Sequence, residues 1–177
     1  MPPITIVFVI TGLAVWLIAF QFLGIGAKPA ADGPDPSVTV GAATFVAGVV
    51  DLIEAVYIMA VRPEPLGLGA VVLSGLVAFY GLFFTLVGWA LARGLDLQPV
   101  ANLAIAVAVA PLFWWKFFNG GWMFHSILIL WVATFLCVTA TIYGKLRPKL
   151  LGVVLLGTSV YAFFTPAIIL ALGHKIP

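Results

Sequence analysis

The sequence predicts an all-α integral membrane protein, six transmembrane helices in one compact bundle, on three observations. Hydrophobic residues make up 64% of the 177 and charged residues 8%, with a mean hydropathy of +1.24, a composition foreign to soluble globular domains and to disordered chains. The apolar residues form unbroken runs rather than alternating with polar ones, so they read as helices and not as strands of a membrane barrel. Six of the runs reach the roughly 20 residues that cross about 30 Å of hydrocarbon.

In chain order the spans are expected near 4–26, 38–61, 66–92, 100–118, 122–144 and 150–172, which makes 1–177 a single domain. The first, MPPITIVFVITGLAVWLIAF, has no Lys or Arg ahead of its apolar run and outlasts a signal peptide, so it is expected to be a retained span. The segments AKPAADGPDPS, RPEP, RGLDLQP, NGG and KLRPK separate the others and hold much of the Pro, Gly and charge, as turns do. An even number of spans puts both termini on one side with Arg62, Lys116 and Lys175, 3 basic residues against the 5 opposite, Lys28, Arg93, Lys145, Arg147 and Lys149. The positive-inside rule makes the richer side cytoplasmic, so both termini are expected outside the cell (inner) membrane. The cluster LFWWKFF, 112–118, fits the outer interfacial belt, with Lys116 reaching toward headgroups.

Several function classes fall away. The net charge of +2 comes from singly spread residues, so no basic stripe could follow a nucleic acid backbone. Cys137 is alone, which excludes an internal disulfide or a paired-cysteine metal site. The two His are isolated, and neither a Ser-His-Asp set nor a Gly-rich phosphate loop is present. No catalytic residue, metal or cofactor is therefore expected, and the protein does not read as an enzyme.

The second span poses the chemical question. GAATFVAGVVDLIEAVYIMAV, 41–61, carries Asp51 and Glu54 near its middle, and a carboxylate at the bilayer centre costs about 2.5–3.5 kcal/mol on insertion scales. The acids share one helical face, which Thr44, Ala47 and Gly48 extend in steps of three and four. With the span centre near residue 50, Asp51 sits only about 2 Å from the midplane. Every Lys and Arg lies at or near a span end, so a buried ion pair lacks its cation. Two readings stay open: a carboxyl group hydrogen-bonded to a neighbouring helix, or one facing a water-filled path. The spacing between Gly41 and Gly48 fits close helix packing. Aromatics cluster in the third, fifth and sixth spans, including Tyr80, Phe84, Trp131 and Tyr161. Packing is the ordinary role of such rings, but a lining of them with one or two acceptors would suit a small neutral polar solute.

Three stretches carry a family likeness: DPSVTVGAATFVAGVVDLIEAVYI (35–58), FYGLFFTLVGWALARGLDLQP (79–99) and ILWVATFLCVTATIYGKLRP (129–148). They resemble, in turn, the first-loop DPxS element running into span two, the third span with its G-L-D loop, and the tryptophan-bearing fifth span of the small six-span urea/amide channel family (AmiS/UreI). Thr44 stands where that family has a span-two asparagine, Trp131 alone answers its pore tryptophans, and LLGVVLLGTSVYAFF has no counterpart of the urea channel's span-six glutamate. The resemblance implies one narrow pore per protomer, a hexameric ring of identical chains around a lipid-filled centre, outward termini, and passive movement of urea or short amides. RPEP is too short for the urea channel's His-bearing gating loop, so acid gating of that kind is not expected.

The expected function is thus a channel for small neutral amides such as urea, embedded in membrane lipid, with Thr44, Gly48, Asp51, Glu54, Tyr80, Phe84, Trp131 and Tyr161 as pore-lining candidates. Two alternatives use the same residues: cation or proton coupling through Asp51 and Glu54, and a structural subunit whose polar span-two face docks on a partner protein.

Overall fold

A computed structural model describes residues 3–26, 33, 35–64, 66–118 and 121–177 of the chain, and all six apolar runs are helical in it. Lys28 and most of the AKPAADGPDPS segment lie outside the described residues, as does part of NGG. The helices are α1 (Ile4–Leu23), α2 (Pro36–Val61), α3 (Gly69–Ala92), α4 (Gln98–Val109), α5 (Trp122–Ile142), α6 (Pro148–Thr158) and α7 (Thr165–Ala171). Local chemistry sets the starts: the Asp35 carboxylate accepts from Ser37 N at 2.9 Å with Pro36 in the first turn, and Asp96 does the same for Gln98 N at 2.9 Å. Arg62, at φ 49°, leaves the helical region and stops α2.

Two spans are not uniform α-helix. The fourth tightens after α4 into a 3-10 turn, Ala110–Trp114, around Pro111, which has no N–H to carry the α ladder. The sixth consists of α6 and α7 joined by a π-helical turn, Ser159–Phe164, just before Pro166. There the Thr165 backbone N–H donates to Val160 O five residues back, and its hydroxyl adds a second bond to the same carbonyl at 2.9 Å.

Each span packs on the next in sequence, and α6, the π turn and α7 return to α1, so the six spans close into a ring. The outward face is apolar: Ile53 is 61% exposed and Phe113 83%, the inverse of a soluble surface and the arrangement lipid favours. One seam is far closer than the rest. A Cβ added at Gly48 would strike Thr85 N and stand 2.7 Å from Gly81 O, and one at Gly41 would stand 2.8 Å from Gly88 O. The α2 and α3 backbones therefore touch directly, in an antiparallel register that repeats every seven residues.

Candidate functional site

The axis of the ring holds a cavity of about 650 Å³. It runs from the end of the bundle that carries Pro3, Glu64 and Lys175 down to Thr11, Asp51, Tyr80, Trp131 and Phe163. Beyond it lies a second void of about 70 Å³, lined by Phe83, Phe84, Phe135, Thr134 and Thr158 among others. Trp131 and Phe163 border both spaces. Their rings stack with centroids 5.7 Å apart, Tyr80 meets Trp131 edge-on at 4.6 Å, and Phe135 stacks on Tyr80 at 5.6 Å. A layer of rings from α3, α5 and the π turn thus separates two spaces on one axis.

Polar atoms on the two sides of the layer are treated differently. Beside the small void, Thr158 donates to Val154 O at 2.8 Å, which leaves the Thr134 hydroxyl to donate to Thr158 Oγ1, also at 2.8 Å. Both are satisfied. Among the residues lining the large cavity, Asp51 Oδ1, Tyr80 OH and Trp131 Nε1 are buried and have no hydrogen-bond partner among the described residues. Such orphans are rare in folded proteins and mark places where a further partner belongs. The other Asp51 oxygen, Oδ2, accepts from Thr11 Oγ1 of α1 at 2.6 Å, and both side chains are buried. Asp51 thus bonds a neighbouring helix and is also among the residues lining the large cavity.

The other candidates are placed as follows. Phe84 lines the small void. Thr44 is buried and donates back to Val40 O at 2.8 Å, and Gly48 forms the α2–α3 seam. Glu54, three residues past Asp51, lines neither space, and its buried Oε2 has no partner among the described residues. Tyr161 turns to α5, where Ser126 already donates to Met123 O at 2.7 Å, so the tyrosine hydroxyl donates to Ser126 Oγ at 2.6 Å. Structure brings Asp51, Tyr80 and Trp131 to one cavity and keeps Thr44, Gly48, Glu54 and Tyr161 out of it. It adds Thr11 and Phe163. A lone Thr in an apolar helix usually bonds its own preceding turn, so nothing in the sequence marks Thr11. Pro166 hints at an irregular turn but not at which ring that turn delivers to the axis.

The sequence matches no protein-family model and no curated protein. The fold is similar to that of a solved structure, the Helicobacter pylori urea channel in its closed state, with a TM-score of 0.78 over 99% of this chain and 100% of that one, at 13% identity. The protein therefore has the helical membrane-bundle fold seen in that channel.

Proposed function

We propose that the chain is a passive channel for small neutral amides, urea or short aliphatic amides. The observation that carries this reading is the pair of axial spaces divided by the single Trp131–Phe163 layer. Ring faces offer no charge or carbonyl cage to replace an ion's hydration shell, so ions are held back. A planar neutral molecule can slip between such faces and exchange its lost water for the unpaired groups of Asp51, Tyr80 and Trp131. The fold likeness to a urea channel supports the same reading and is the reason to test urea first. Assembly as a hexamer of this chain, with both termini outside the cell membrane, belongs to the same proposal.

Proteoliposomes test it. After a hyperosmotic urea step, vesicles holding the protein should re-swell at least about tenfold faster than empty ones, with no current in planar bilayers. Equal rates for urea, acetamide and formamide with and without protein end the reading. Currents would favour cation or proton coupling instead, and a stable hetero-complex in native mass spectra the docking role.

A further inference from the structure

We propose that Asp51, held by Thr11, is the group that ranks solutes by the N–H bonds they carry, so that primary amides pass and N-substituted ones do not. The inference rests on the channel reading above and goes beyond it in naming the selecting atom. Thr11 Oγ1 donates to Asp51 Oδ2 at 2.6 Å, and the two side chains are 1% and 0% exposed. That one bond fixes the carboxyl rotamer and occupies one oxygen. Oδ1 is left as an acceptor with no partner among the described residues, in a residue that lines the inner part of the large cavity. A protein cation cannot serve, because no described Lys or Arg lies inside a span at that depth. What completes the acceptor is an N–H or O–H brought by the cavity's occupant.

The same lining supplies the complement. Trp131 Nε1 can only donate and the Tyr80 hydroxyl can donate, both without a partner among the described residues. An acceptor and two donors carried by residues of one lining match a molecule with N–H on one side and C=O on the other. One methyl on the nitrogen leaves a single N–H and two leave none, so N,N-dimethylation removes every hydrogen that Oδ1 could accept and leaves a buried acceptor unsatisfied, which is worse than never offering one. Thr11 touches no solute in this scheme; it is a positioning residue.

The test is re-swelling of proteoliposomes holding the full chain in acetamide, N-methylacetamide and N,N-dimethylacetamide, with the empty-vesicle rate subtracted. For the parent, the rate should fall at least about tenfold from acetamide to N,N-dimethylacetamide, the equivalent of one hydrogen bond of about 1.4 kcal/mol. In Asp51→Leu the two rates should come within about threefold, since size remains and the acceptor does not. Asp51→Asn keeps an acceptor oxygen and should retain more of the ratio than Leu. Thr11→Val should lower the ratio about threefold and Thr11→Ser restore it, whereas a purely structural Thr11 would slow all three solutes alike. An assembled Asp51→Leu with the parent's ratio overturns the proposal. Should Leu fail to assemble, a Thr11→Val ratio equal to the parent's overturns it. If the parent conducts none of the three amides, the channel reading falls, and saturation-transfer NMR of acetamide on the detergent-solubilised protein decides the site. Signal lost in Asp51→Leu or weakened in Thr11→Val, and kept in Asp51→Asn, would uphold the Asp51 site, and signal unchanged in Leu and Val or absent from the parent would overturn it.

Discussion

Helix α2 belongs to two regions built on opposite rules. Toward α3 it is all contact: Gly41 and Gly48 let the backbones meet, and even the Thr85 hydroxyl turns back to Gly81 O at 2.7 Å. Toward the axis it leaves space, and Asp51 keeps one oxygen unpaired there. The difference shows that the cavity is not loose packing. The rings of Trp131 and Phe163 stand between two spaces rather than filling either.

The contrast can be broken most completely at the seam. Gly48→Leu should abolish the folded bundle, because the added side chain meets the α3 backbone, which cannot turn aside as a rotamer can; the penalty exceeds about 3 kcal/mol. Loss of a monodisperse peak on size exclusion is the expected result, and a normal melting temperature would mean that the helices are not in contact there.

Next in size comes the ring layer. Trp131→Ala joins the two spaces, so the urea-to-glycerol permeability ratio should drop about tenfold, roughly 1.4 kcal/mol of discrimination. An unchanged ratio would place the division elsewhere. On the satisfied side, Thr134→Val removes a hydroxyl that donates to Thr158, which still has Val154 O to donate to, and should cost only about 1 kcal/mol in thermal stability. The smallest effect has the opposite sign. Gly157 in α6 has nothing within 4 Å of an added Cβ, so Gly157→Ala should stabilise by about 0.5 kcal/mol through backbone entropy and helix propensity. Side by side, Gly48 and Gly157 separate a glycine required by contact from one that is not.

The helical membrane bundle was legible because hydropathy and length suffice to mark a span when every backbone group must be satisfied internally. The seam was half legible: Gly41 and Gly48 read as packing residues, while their partners Gly81 and Gly88 stand among aromatics that draw the eye first. Asp51 stood out as a charge in an apolar run, and so did Glu54, yet a spacing of three residues spans about 60° of helix, enough to put one acid on the axis and the other off it. Which of two neighbouring acids reaches a cavity depends on helix rotation, and rotation is set by contacts such as Gly48 against Thr85 that only the folded chain reveals. Which span-six ring reaches the axis, Phe163 rather than Tyr161, was hidden for a related reason: its direction depends on the π turn, and a helical wheel drawn through Ser159–Phe164 at the usual pitch misassigns it.

The α2–α3 seam also sets how the wall distributes stiffness. Two helices in backbone contact move as one thick strut, whereas α3 meets α4 only sparsely, through a span that has already tightened around Pro111. Asp51 and Tyr80 both ride on the strut while Trp131 stands on α5 across the sparse α3–α4 contact, so the spacing of carboxyl to phenol is the stiffest dimension of the cavity and the spacing of either to the indole the softest.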